Sequence, residues 1–415
     1  MVRKMRATAL VLFVVFLSSC SVAQNVETEL PTSSNISATN TLQPTLTLIV
    51  TTIPTTTLTL TKVSTSVLLP LNSIEQRCVT LEKDLQPGFL TKGSIILEWE
   101  YEWLDYKMMT LTTDDAEPKL LPDLPTNGLT SPNGNWIAYL SDSLMILSPD
   151  GKVIVSRPWH KKWGNIQRWI DSERILFEFS EREAPTFYIY NPFTDQSENL
   201  SRKIEDRYQY DKELSGWYTW KFVPDATLTR MAYMRNLELP TLVLVNLENG
   251  QTLWELKRFS PGERLIPTWS PDNSRMAVIS DDYQGAEEYY RWEIFTVDRN
   301  GRAIQWLDFK AESLIGTSGW IQGLEWSPNG RYLAFFSESL YLLDTKSQQV
   351  FDLCIPSGQW EKLPDHVITW APDSTQILFQ RGNAPSVVVD LESNHAAVLV
   401  DDINIRPVGW LTSVP

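Results

Sequence analysis

Histidine and cysteine are nearly missing from this chain of 415 residues, with three of each. Three Cys are too few for a small disulfide-built scaffold. His160, His366 and His395 are scattered, and neither G-x-S-x-G, H-E-x-x-H nor a Cys-His pair occurs, so the short signatures of nucleophilic and zinc hydrolases are absent. Basic residues are also short, 36 against 51 acidic, for a formal charge of −15. That sign opposes the phosphate backbone and argues against nucleic acid as a partner. No apolar run reaches the roughly 20 residues of a permanent membrane helix; the longest is Ala7 to Leu17.

What is abundant is aromatic. Seventeen Trp, fourteen Tyr and fifteen Phe accompany 42% hydrophobic residues and 25 Pro. This is the profile of a β-type globular protein, not of a disordered chain or a coiled coil. The length alone would allow two or three domains of roughly 100–200 residues, although all-β domains can run longer.

The amino terminus is an export signal. Arg3, Lys4 and Arg6 form a basic n-region, the apolar stretch follows, and Leu17-Ser18-Ser19-Cys20 closes it. Those four residues resemble the lipobox of bacterial lipoproteins. The resemblance implies cleavage before Cys20, diacylation (palmitate-type chains) on its thiol, and a stable membrane anchor, because two or more acyl chains hold where one is marginal. The alternative is an ordinary secretory signal with an incidental Cys. The reading divides the chain into a signal peptide at 1–19, a lipidated Cys20 with a Thr/Ser/Pro-rich tether over 20–72, and a folded domain over 73–415. The tether has no Trp, Tyr or Phe, so it cannot bury enough to offset the entropy of ordering. A strand over Thr45 to Leu60, where Thr and Leu alternate, is the competing reading.

From Ser73 onward the chain repeats. One element is an aromatic residue, a short Ser-Pro-Asp or related turn, and an apolar strand: Trp269 before RMAVIS, Trp326 before YLAFFS, Trp370 before QILFQ, with weaker copies at Thr130, Trp169, Phe222 and Trp410. The mean spacing is about 47 residues. A second element, a strand ending in a short polar residue at a tight turn, recurs at Thr112, Ser148, Asn191, Asn246, Asp298, Asp344 and Asp390, about 46 residues apart. Asx and ST turns explain that choice of residues. Two features with one period define a four-stranded β-meander, the blade of a propeller. The 343 residues from Ser73 give 49 per blade for seven blades. The fold class expected is therefore all-β, a seven-bladed β-propeller, with six or eight blades as alternatives. The orphan strand RPVGWL should complete the first blade and close the ring. Trp169, Trp269, Trp326, Trp370 and Trp410 are expected to pack between blades.

At these residues the chain resembles the TolB-type, WD40-like propeller repeat, most closely in WEIFTVDRNGRAIQWL. That resemblance covers Gly93 to Leu411 and implies the fold, with other envelope proteins or peptides as partners. It departs from the family's namesake in its lipobox, in lacking a separate N-terminal α/β domain, and in having seven hairpins instead of six.

In a meander the first and third turns share one face of the ring, and here they are short. The expansions, over 201–221, 281–291 and 308–325, fall on the other face, where binding residues collect on a rigid scaffold. Tyr208, Tyr210, Trp217, Tyr218, Trp220, Tyr283, Tyr289, Tyr290, Arg291 and Trp320 are the candidates, as protein hot spots or as platforms for sugar rings. The alternative has these loops burying their own aromatics against blade edges. Asp281, Asp282, Glu287 and Glu288 could hold a cation, but their spacing fits no EF-type loop and reads as a solvated cluster. No metal, cofactor or catalytic residue is expected. Cys78 and Cys354 remain once Cys20 is lipidated, and in an oxidising compartment they are expected to pair. The functional expectation is a monomeric, lipid-anchored binding or scaffolding module of a bacterial envelope, with a protein, peptide or glycan ligand. An envelope glycan or peptide hydrolase or lyase and a sensor subunit are the rivals.

Overall fold

The computed structural model describes residues 67–68, 74–86, 88–90, 93–102, 105–112, 118–121, 128–158, 164–180, 185–200, 222–235, 241–257, 267–282, 289–312, 322–336, 339–356, 367–380, 385–400, 402 and 405–412. Three short strands come first: β1 (Val67–Leu68), β2 (Glu75–Gln76) and β3 (Thr80–Glu82). Blade 1 holds β4 (Ser94–Glu102), β5 (Asp105–Thr112) and β6 (Lys119–Leu121). Blade 2 is β7 (Leu129–Thr130), β8 (Ile137–Leu140), β9 (Ser143–Leu147) and β10 (Val153–Pro158). Blade 3 is β11 (Gly164–Trp169), β12 (Ile175–Ser180), β13 (Pro185–Asn191) and β14 (Gln196–Asn199). Blade 4 is β15 (Phe222–Pro224), β16 (Arg230–Arg235), β17 (Thr241–Asn246) and β18 (Thr252–Lys257). Blade 5 is β19 (Thr268–Trp269), β20 (Arg275–Asp282), β21 (Tyr289–Asp298) and β22 (Ala303–Glu312). Blade 6 is β23 (Gln322–Trp326), β24 (Tyr332–Phe336), β25 (Ser339–Asp344) and β26 (Gln349–Pro356). Blade 7 is β27 (Val367–Trp370), β28 (Gln376–Gln380), β29 (Ser386–Asp390) and β30 (His395–Val400). The last strand, β31 (Ile405–Leu411), pairs antiparallel with β4 and completes blade 1.

The central strands of each blade are covered on both faces by neighbouring blades, so they read as unbroken apolar runs. All of β25, β28 and β29 is buried, whereas the outer β10 and β14 hold no buried residue. Seven apolar clusters fill the seven contacts between adjacent blades. They include the closing ones, Trp410 with Leu378 and Val388 of blade 7, and Leu411 with Ile137 and Tyr139 of blade 2.

The repeat Trp residues pack as expected, each against the blade before its own: Trp169 on blade 2, Trp269 on blade 4, Trp326 on blade 5, Trp370 on blade 6 and Trp410 on blade 7. Four indoles also donate to a carbonyl on the preceding blade's inner strand: Trp169 to Leu129 at 2.9 Å, Trp269 to Val223 at 3.0 Å, Trp326 to Thr268 and Trp370 to Glu325, both at 3.2 Å. Blade 4 corrects the sequence alignment. Pro224 pairs with Met231 just as Trp269 pairs with Met276, so Pro224 and not Phe222 occupies the anchor place. Phe222 lies two residues earlier, on the same side of a period-2 strand. It fills the same kind of space, edge-on to Phe187 at 5.0 Å. Replacing Trp326 by Phe removes the inter-blade bond while keeping most apolar contact. Urea denaturation should show a loss of about 1–2 kcal/mol, and an unchanged midpoint would show that the bond is dispensable.

The segment before blade 1 is more ordered than its composition suggests. β1 pairs parallel with β22, β2 with β26 and β3 with β30, so the chain runs along the outer edges of blades 5, 6 and 7 in turn. Pairing begins at Val67, inside the stretch read as tether; residues 1–66, with Cys20, lie outside the described residues. Cys78 is joined to Cys354 by a disulfide, with Cα atoms 4.8 Å apart.

Candidate functional site

The face bearing the first and third turns is built to bond to itself. In blades 2, 5 and 6 the hydroxyls of Ser131, Ser270 and Ser327 accept from the N–H five residues on, at 3.0, 3.1 and 2.9 Å. Each donates to the side chain two residues on, Asn133, Asp272 or Asn329, at 2.8, 2.6 and 2.8 Å. The turn needs one residue with positive φ, supplied by Gly134, Leu228, Asn273, Gly330 and Ser374. Those residues also stitch turns together, since Asn273 Oδ1 accepts from the Ala226 N–H at 2.9 Å and Ser374 Oγ from the Asn329 N–H at 3.0 Å. In the outer hairpins, Asn191, Asn246, Asp298, Asp344 and Asp390 cap the backbone N–H groups that follow them. Burial alone would raise the Asp344 carboxyl, but bonds from Arg331 at 2.6 Å and from two backbone N–H groups outweigh it and hold its pKa low.

The opposite face carries the longer connections. β20 runs through Asp282 and β21 starts at Tyr289, so the loop expected over 281–291 shrinks to 283–288. Strands likewise claim both ends of the 308–325 link, leaving 313–321. Tyr289 pairs with Glu312, Tyr290 with Ala311, and Arg291 with both Asp282 and Lys310. These three candidates therefore sit on an extended β20–β21–β22 sheet that projects from blade 5 on this face. Tyr208, Tyr210, Trp217, Tyr218, Trp220, Tyr283 and Trp320 lie outside the described residues, as do Glu287 and Glu288. Among the described residues no group of three or more His, Cys, Asp or Glu is placed to hold a metal.

The structure brings together two residues that sequence reading passed over. The inner strands β31, β7, β11, β15, β19, β23 and β27 stand side by side around the central channel. The residue before the anchor on these strands is Leu129, Arg168, Val223, Thr268, Glu325, Thr369 or Gly409. Two of the seven are charged, and of opposite sign. Arg168 in blade 3 and Glu325 in blade 6 belong to opposite sides of the ring, yet each feels the other's charge. Glu325 is exposed and Arg168 half-buried, as for side chains lining a channel. Confinement pushes the Glu325 carboxyl up to about 7, partly offset by Arg168. Confinement pulls the Arg168 guanidinium down to about 10, opposed by Glu325. The Arg168 Nη2 atom is buried and makes no hydrogen bond. A charge in a column otherwise small or apolar was the available signal, legible only once the inner-strand register is known.

No family model matches the sequence. A stretch of 162 residues is 26% identical to the Tol-Pal system protein TolB of Alcanivorax borkumensis, covering 38% of this chain and about a third of that relative's length. Of solved structures, TolB from Acinetobacter baumannii matches with 12% identity and a TM-score of 0.40, over 77% of this chain and 83% of its own. An oligogalacturonate lyase in complex with manganese matches with 14% identity and a TM-score of 0.44, over 66% and 79%. The chain is a seven-bladed β-propeller with repeats like those of TolB.

Proposed function

We propose that this chain is a lipid-anchored, extracytoplasmic binding or scaffolding module of a bacterial cell envelope, and that it holds a partner instead of transforming one. The observation that carries this reading is the difference between the two ring faces. One face spends its polar groups on its own turns, while the longer connections and the extended sheet of blade 5 all leave from the other. The basic, apolar and Leu-Ser-Ser-Cys20 sequence supports export and anchoring, and a disulfide suits an oxidising compartment. The stretch shared with a Tol-Pal system protein fits the same setting.

Crosslinking in the native cell followed by mass spectrometry tests this reading. Partner crosslinks are expected on 201–221, 283–288 and 313–321, and Cys20→Ser should move the protein out of the membrane fraction. Crosslinks confined to the turns near Ser270 and Ser327, or a Cys20→Ser protein that stays with membrane, would overturn it.

A further inference from the structure

The channel pair asks for an explanation that the ring does not supply. A guanidinium has five donors in a planar fork, and a buried donor without a partner costs about 1–3 kcal/mol. Arg168 Nη2 is such a donor. Among the described residues, other charged groups on neighbouring inner elements are already engaged: Glu178 accepts from Gln167 at 2.9 Å, Arg406 is paired with Glu98, and Asp171 with Arg174 at 2.6 Å. Glu325 attracts Arg168 through space, while the arginine's buried Nη2 bonds to nothing. At the same register position Thr268 and Thr369 are uncharged, and Val223 is fully buried in the contact between blades 4 and 5.

We propose that the central channel is an oxyanion site in which Arg168 receives a carboxylate-type or sulfate-type group, and Glu325 acts as the competing counter-ion. The planar fork matches a two-oxygen acceptor. A second anion beside an ionised Glu325 is repelled, so the guest enters when Glu325 carries a proton and leaves when it does not. With the Glu325 carboxyl pushed up to about 7 by its surroundings, the site is expected to fill under mildly acidic conditions and to empty under mildly alkaline ones. The bound group could be a free small anion or the carboxylate of a partner chain, which share this chemistry. The proposal concerns the channel and does not depend on which partner meets the long-connection face.

The test follows the Arg168 side-chain resonance by NMR in the full folded domain while acetate or sulfate is added at constant ionic strength. At pH 5.5 the resonance should shift in a saturable way with either ion, and at pH 8.0 the affinity should be about tenfold weaker, following the neutral fraction of Glu325. Glu325→Gln, which keeps shape without charge, should bind equally at both pH values. Arg168→Gln should show no saturable change at neighbouring inner-strand amides, with its thermal transition confirming that it is folded. A short peptide with a free terminal carboxylate that outcompetes acetate, where its amidated form does not, assigns the site to a partner chain; equal behaviour assigns it to small anions. The proposal fails if neither ion shifts Arg168 at pH 5.5, if Arg168→Gln still binds, or if Glu325→Gln keeps the pH dependence.

Discussion

Ending the chain after Asp402 is expected to abolish cooperative unfolding and leave an expanded, aggregation-prone protein, because β31 is bonded to three blades at once. It supplies the inner strand of blade 1 through its ladder to β4. The carbonyl of Ile405 accepts from Gln380 of blade 7 at 2.9 Å, and the Thr412 N–H donates to Gly134 of blade 2 at 2.8 Å. Trp410 and Leu411 are almost wholly buried, in the clusters on either side of blade 1. Losing one large buried side chain costs about 2–5 kcal/mol, and a whole domain has only about 5–15 kcal/mol to lose. Thermal denaturation and size-exclusion chromatography give the readout, and a peptide of residues 403–415 added in trans should restore a transition. A truncated protein that melts at the full-length midpoint would show that the ring does not need closing. A graded form of the experiment uses Arg406, which pairs with Glu98 across the same strands, the carboxylate being only 1% exposed. Arg406→Met removes the cation from a buried acid and should cost about 3–5 kcal/mol, most of it recovered by adding Glu98→Leu.

How far the fold was legible depended on whether a feature is written in side chains. The Asx residues that end the third strands are written so, because a capping carboxylate or amide must occupy that one place, and Asn191, Asn246, Asp298, Asp344 and Asp390 all do. The inter-blade Trp residues are legible for the same reason. Phe222 misled by two residues, since a strand offers equivalent space at i and i+2. The edge strands β1, β2 and β3 were invisible. Parallel pairing of two or three residues uses backbone groups that every residue has, and Glu75-Gln76 carries no β signal. Cys78 was the one hint that this segment touches the ring. The candidate site was half legible. Loop length pointed to a face, but the charge pair Arg168 and Glu325 becomes a pair only when blades 3 and 6 are known to face each other.

Removing the disulfide should produce the other large loss. Cys78→Ala with Cys354→Ala is expected to lower stability by about 3–5 kcal/mol in urea, and wild-type protein in excess reductant should behave alike. The two cysteines are 276 residues apart in sequence. Chain entropy for a loop of that size gives an upper figure of about 5–6 kcal/mol. What remains to hold the segment without the bond is modest but specific. Arg77 donates to Asn394 Oδ1 at 2.7 Å and to the Leu391 carbonyl at 2.9 Å, and its N–H bonds to Asp352 at 2.8 Å. The exposed contact of His395 with Glu82 at 3.1 Å adds little. These contacts span blades 6 and 7, so without the disulfide the segment should open locally before the ring unfolds. Hydrogen exchange separates the two events. In the double variant, amides of β2 and β3 should lose protection by a larger factor than those of β24 or β28. If all four strands lose protection equally, the bond stabilises the ring as a whole. If protection at β2 is unchanged, backbone pairing and Arg77 suffice to hold the segment, and the disulfide acts only on the unfolded chain.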